Sequence, residues 1–273
     1  MKHSTTLFHW DLPHPIIVSS GPLSANATTI SSAFKHGAAA VVTKTISTEN
    51  KPNQGIIHCS DTETFNMEGY SSRTVSDWVS KWHELKGLPV VANFHATNAD
   101  EAATLAVQLE NVGAEVLELG VSCPTFGDEP ICFDINILRD FCTHVRKTVK
   151  IPVIAKILIS MSKNYNREMV KCICDCGMDG IALSDSLPAS LFVDGSIRHG
   201  GLTGTFAKSL VMRTLLDIQD YDICKIAIGG VFNSQDVFDY LNCGATAVGV
   251  CTSILKGGWV QLQTLIEEYM QQI

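Results

Sequence analysis

The sequence predicts an α/β protein built as a single (β/α)8 TIM barrel over residues 1–273. Three observations carry that expectation. Eight short, largely β-branched runs alternate with longer amphipathic stretches, and a regular βα alternation implies a parallel sheet. Glycine recurs where an amphipathic stretch gives way to the next apolar run. The length of 273 residues also suits the roughly 250 that one such barrel takes. A doubly wound open sheet is the runner-up.

The strands are expected at Pro15–Ser20, Ala39–Lys44, Leu88–Phe94, Glu115–Ser122, Pro152–Leu158, Gly180–Ser184, Lys225–Ile228 and Ala245–Cys251. Each is a short apolar run bounded by a turn-forming or polar residue, the pattern of a strand buried on both faces. Between them lie helical patterns, among them Asp100–Val112, Ile135–Thr148, Asn166–Cys176, Ala207–Asp217 and Ser234–Asn242. Gly37-Ala38, Gly113-Ala114, Gly177-Met178 and Gly244-Ala245 place glycine at the helix exit, where a left-handed conformation costs it little. No linker-like stretch divides the chain.

Composition narrows the function classes. An apolar content of 45% supports a sizeable core, and a formal charge of −8 with a pI near 5.5 fits a soluble cytoplasmic protein. That charge, with no basic run, weighs against a nucleic-acid partner. No apolar run approaches the roughly 18 residues of a membrane span, and the start of the chain does not read as a signal peptide. The ten cysteines are scattered within apolar patterns, so reduced thiols are expected rather than a disulfide framework. Cys172, Cys174 and Cys176 stand at i, i+2, i+4 on an expected helix, which puts Cys174 on a different face. No metal site is expected there, because no nearby pair completes a four-ligand set.

In a barrel the site lies at the carboxyl ends of the strands. That rule selects Ser20-Gly21, Lys44, Asn93, Cys123, Lys156, Asp185-Ser186, Gly229-Gly230 and Cys251-Thr252. Leu117–Pro124 is an apolar run that ends in cysteine and is stopped by proline. A thiol there can move a proton, attack an electrophile or bind a metal; deeper, it is a small apolar filler. Lys156 interrupts an otherwise apolar run, Ile151–Ile159, and lysine is almost never fully buried without a partner. Lys44 ends the second strand in the same way. Snorkelling to solvent is the bland alternative, but two lysines at two selected ends suggest a shared anionic ligand. Gly200–Gly204 precedes a helix, Gly229-Gly230 follows strand seven, and Gly249–Thr252 closes strand eight. Glycine pairs often mark turns, yet amides after strands seven and eight are where many barrels bind phosphate.

These residues resemble the dihydroorotate dehydrogenase family, FMN-dependent barrel enzymes of pyrimidine synthesis. The most specific pieces are Val42-Thr43-Lys44, Leu117–Pro124, Val153–Lys156, Gly200–Gly204, and Ile228–Gly230 followed by Asp236 and Gly244-Ala245. The resemblance implies an FMN oxidoreductase acting on a C–C bond next to a carbonyl, in dihydroorotate or a related cyclic amide. It implies cofactor contacts from Ser20, Gly21, Lys44 and Lys156, the last at the N1–O2 edge of the flavin. Phosphate contacts are implied for Gly201, Gly229, Gly230, Cys251 and Thr252. Cys123 matches the catalytic acid/base of the family, with Lys44 near both flavin and substrate and hydride passing to flavin N5. It also implies a homodimer, and electrons leaving to a diffusible oxidant or a separate electron-transfer protein.

The departures fall on the substrate. Gly120 and Thr125 stand where the family motif has asparagines, and Asp185-Ser186 replaces its Asn-Ser; Asn66 retains the matching loop asparagine. An ionised aspartate is acceptor-only and repels a substrate carboxylate, so an altered substrate is expected. A dihydropyrimidine dehydrogenase-like reductase and a flavin-binding non-catalytic subunit are the alternatives. A tRNA-dihydrouridine synthase is disfavoured by the acidic charge.

Overall fold

The computed structural model describes residues 4–49, 55–68, 70–123 and 129–273. Eight parallel strands follow one another around a closed sheet: β1 (Ile16–Val18), β2 (Val41–Val42), β3 (Val90–His95), β4 (Val116–Gly120), β5 (Val153–Ile157), β6 (Gly180–Leu183), β7 (Cys224–Ile228) and β8 (Ala247–Val250). β8 pairs back onto β1 through Val248 opposite Ile16, which shuts the ring. Each strand is followed by its helix: α1 (Ala27–Lys35), α2 (Val75–Lys81), α3 (Ala99–Asn111), α4 (Ile135–Thr148), α5 (Lys163–Asp175), α6 (Thr205–Asp217), α7 (Ser234–Asn242) and α8 (Thr252–Gln271). The closed barrel is therefore the fold, and the open sheet is not.

The glycine exits do what the pattern predicts. Gly37, Gly113, Gly177 and Gly244 all hold positive φ. The residue after each donates its N–H back to the helix, as Ala38 does to Ala33 and Ala114 to Leu109. That bond satisfies a carbonyl the helix leaves open and turns the chain toward the next strand. At the other ends, Asn26, Thr74, Asn98, Asp134, Ser162 and Asn233 cap helices with side-chain oxygens.

Strand periodicity builds the inside of the barrel in layers. Ile17, Val42, Val91, Val116, Ile154, Ala182, Ile226 and Ala247, one from each strand, pack together in a buried cluster with Leu7 and Leu12. The two leucines come from an antiparallel hairpin, Thr5–Leu7 with Trp10–Leu12, packed against that apolar layer. Side chains of one face repeat every second residue. Two residues further along β3, β4 and β5, the same inward face therefore carries Asn93, Glu118 and Lys156. The interior thus changes from an apolar plug to a polar layer beneath the carboxyl ends.

The glycine cluster Gly200–Gly204, which precedes α6 as expected, belongs to an element outside the eight expected strands. The segment Ser196–Gly204 is a strand, paired antiparallel with Leu187–Val193 and with Glu63–Asn66, which in turn pairs with Ile56–Cys59. Insertions after β2 and β6 thus meet in one four-stranded sheet. Glycine is needed there for close approach rather than for a turn: a Cβ at Gly204 would stand 2.3 Å from the Thr62 carbonyl oxygen.

Candidate functional site

The carboxyl ends of the strands surround a cavity of about 1080 Å³, measured with its open mouth. Every strand end singled out from sequence contributes to its lining: Ser20 and Gly21 from β1, Lys44 after β2, Asn93 on β3, Cys123 after β4 and Lys156 on β5. The remaining ends add Asp185-Ser186, Gly229-Gly230 and Cys251-Thr252.

One end of the cavity is made of backbone. Gly229 and Gly230 follow β7 with φ of 113° and 68°, and the Tyr240 hydroxyl donates to the Gly229 carbonyl. Cys251 precedes the first turn of α8, and a break at Gly258 (φ 67°) makes that first turn a short segment of its own. Loops after strands seven and eight that lead into a short helix form the arrangement with which barrels hold phosphate. Burial pushes the Cys251 thiol up to about 11, so at this position it is an uncharged neighbour.

Another part of the lining is charged. Lys44 Nζ lies 2.9 Å from Glu68 Oε2, and Lys156 Nζ lies 3.2 Å from Asp185 Oδ1. Asp185 also accepts hydrogen bonds from Ser122 Oγ at 2.7 Å and from the Ser186 amide at 2.8 Å. Burial opposes ionisation of Asp185, but the Lys156 charge and these donors outweigh it and hold its carboxyl below the usual range. Lys156 is the mirror case: burial works against its charge, and Asp185 and Glu118 overcome that and raise it. Beneath this pair, Glu118 is fully buried, and desolvation lifts its carboxyl despite Lys156 and a hydrogen bond from Asn93 Nδ2. Asn93 Oδ1 and Glu118 Oε2 are buried acceptors without a hydrogen-bond partner among the described residues.

Cys123 has company that the sequence did not announce. The Tyr70 hydroxyl is hydrogen-bonded to it, and burial, with the nearby Cys123 and Glu49, holds that phenol protonated far above its ordinary range. Tyr70 stacks on His95 with ring centres 4.6 Å apart. The His95 ring is fixed by its Nδ1, 2.8 Å from the Gly120 carbonyl oxygen, and its Nε2 faces Glu49 at 3.7 Å. Gly120 thus serves through its backbone. Asn66 Nδ2 donates to Ser186 Oγ at 3.3 Å and to the Gly201 carbonyl at 3.1 Å. Gly201 stands behind the lining in its strand, where a Cβ would meet Ser186 at 2.6 Å. Thr125 lies outside the described residues.

Comparison with known proteins agrees with the geometry. Residues 2–273 match the family described as dihydroorotate dehydrogenase. The chain belongs to the dihydroorotate dehydrogenase family. Among its relatives is a protein of Thermoplasma volcanium named dihydroorotate dehydrogenase B (NAD(+)), catalytic subunit, 29% identical over 97% of this chain and 93% of the relative. Proteins of the same name from Methanocaldococcus jannaschii and Methanothermobacter thermautotrophicus are 23% and 27% identical, covering 94% and 93% of this chain and 89% and 88% of theirs. Within the described residues no helix is long and apolar enough to cross a membrane.

Sequence reasoning missed Glu68, Tyr70 and His95. Glu68 and Tyr70 lie outside regular elements, where no periodicity marks a side chain as pointing inward. His95 is the last residue of β3 and lay one position beyond the expected end of that strand. Its inward direction follows from Asn93 by the period of two.

Proposed function

We propose that this family member is an FMN-dependent oxidoreductase that acts on the C–C bond next to a carbonyl in a cyclic amide, with Cys123 as acid/base. The observation that carries the reading is that one cavity is lined both by the glycine-rich loops after β7 and β8 and by Cys123, Lys44 and Lys156. The residues fit the group: Asn93 Oδ1 is a buried acceptor in the lining that a ring N–H would satisfy, and such an atom is costly to leave unmade. Ser20, Gly21, Lys44 and Lys156 would hold the ring system. Gly229, Gly230, Cys251 and Thr252 would hold the phosphate, with Gly201 supporting Asn66 and Ser186 from behind.

When bound, FMN supplies the acceptor for the two electrons that leave the substrate with a hydrogen from one ring carbon. The protein's own part is the proton. Cys123, as thiolate, removes it from the carbon beside the carbonyl, so that a C=C bond forms between the two carbons; in the reverse direction the thiol returns it. The Tyr70 hydroxyl donates to the sulfur and favours the thiolate, because a hydrogen bond to the charged form stabilises that form. Lys156 would hold a positive charge beside the ring system once the group is bound, the kind of tuning a protein supplies to a cofactor. Asn66, Ser186 and the Gly120 backbone position the substrate ring. The relatives are named as catalytic subunits, which supports a separate partner protein that accepts the electrons.

Purified protein is expected to be yellow, and its flavin absorbance to bleach on anaerobic addition of substrate. Cys123→Ala should keep the colour and slow the bleaching by about 10²–10⁴ fold, the usual contribution of a positioned acid/base. A colourless protein that ignores added FMN would refute the cofactor, and an unslowed variant would refute the role of the thiol.

A further inference from the structure

Both lysines of the cavity are neutralised by carboxylates of the cavity wall itself. Lys44 is matched by Glu68 at 2.9 Å and Lys156 by Asp185 at 3.2 Å, with all four side chains at least three-quarters withdrawn from solvent. The donors along the same wall are turned toward protein acceptors. Ser122 Oγ and the Ser186 amide serve Asp185, and Asn66 Nδ2 serves Ser186 and Gly201. Two ionised carboxylates carry about four acceptor positions each and no donor, so the wall offers a ligand more acceptors than donors. A ligand carboxylate placed beside Lys44 would face Glu68 at close range inside a largely buried space, where charge repulsion is screened far less than in water.

We infer that the substrate ring is uncharged at the edge that meets Lys44 and Glu68, carrying an N–H donor or carboxamide there and no carboxylate. This rests on the flavin oxidoreductase reading above and specifies its substrate class. Glu68 is then a specificity-determining residue: it accepts from the ring edge and repels an acid of the same shape. A site that leaves a buried charge facing a like charge discriminates strongly between two ligands that differ in that one group.

The test uses the FMN-loaded protein and two rings of nearly the same shape, orotate and its carboxamide, orotamide. Binding is read by calorimetry and, independently, by protection of Cys123 from iodoacetamide. The parent is expected to bind orotamide at least about tenfold more tightly than orotate, a difference of about 1.4 kcal/mol. In Glu68→Gln, orotate should gain about tenfold or more while orotamide changes by less than about threefold, because only the like charge has been removed. Orotate binding as tightly as orotamide in the parent overturns the inference, and so does a ratio that Glu68→Gln leaves unmoved. Protein that holds FMN and binds neither ring also overturns it while leaving the cofactor reading intact. Failure to take up FMN, visible in the absorbance before any ring is added, removes the reading on which it rests.

Discussion

Cys123 shares its wall of the cavity with a phenol and an imidazole, and their arrangement sets how the thiol behaves. Tyr70 is placed by its stack on His95 and donates toward the sulfur, while its own proton is held firmly by burial. Tyr70→Phe keeps the ring and the stack and removes only the hydroxyl. Because hydrogen bonds to charged groups contribute about 1.5–3 kcal/mol, the variant should alkylate with iodoacetamide about tenfold more slowly at neutral pH. The pH midpoint of that reaction should move upward. An unchanged midpoint would show that the hydroxyl does not act on the thiolate. At this scale the sequence was informative where chemistry sits at a strand end, as for Cys123, Lys156 and Asp185. It was silent where a loop decides. Glu68 and Tyr70 follow Asn66 in a stretch whose direction depends on the antiparallel sheet above the barrel, and nothing local encodes that contact.

The elements were legible to the degree that each carries its own period and punctuation. The run at Glu115–Ser122 became β4 (Val116–Gly120), and Ile135–Thr148 is α4 with the boundaries expected. The sheet formed by Ser196–Gly204 and its partners escaped notice because its side chains alternate weakly between half-buried and exposed, and its glycines were read for phosphate contacts rather than for close strand packing. Within β4, Glu118 is the element's least expected resident. Its carboxyl is raised above 4.5 chiefly by desolvation, so ionising it costs more in the folded state than in the unfolded chain. The stabilisation from keeping it neutral is fully present below pH 4.5 and is lost as pH rises through the folded value. Glu118→Gln removes that loss. The difference in melting temperature, variant minus parent, should grow more favourable from about pH 4.5 to about pH 8; a constant or falling difference would refute the assignment. The turn after β7 offers a second measurement. A Cβ at Gly230, where φ is 68°, would lie 2.9 Å from both the Gly204 carbonyl oxygen and Lys208 Cβ. Gly230→Ala should therefore cost about 1–3 kcal/mol of stability and weaken FMN uptake, read by melting and by flavin titration.

Closure of the barrel is a property of the whole molecule, and it is unevenly secured. β4 and β5 are joined through four residue pairs and β6 and β7 through four, whereas β1 and β2 share the single pair Val18–Val41. Val41 also pairs with Val90 of β3, so one fully buried valine carries the register on both sides of the seam. Three residues later the chain reaches Lys44, whose amide donates to the Ser24 carbonyl on the β1 side. The position of a charged wall of the site is therefore tied to how well this seam holds. Val41→Ala should destabilise the protein by about 1–3 kcal/mol, the range expected for removing buried methyl groups from a packed position. It should also weaken FMN binding and speed amide exchange in β1 and β2 before other strands, since local opening follows the least supported pairing. Val211→Ala is the matched control, because Val211 is equally buried but sits on α6, in the layer between helices and strands. A similar loss of melting temperature without a change in FMN affinity is expected there. If both variants weakened FMN equally, the effect would belong to general stability, and the seam would have no special part in holding Lys44.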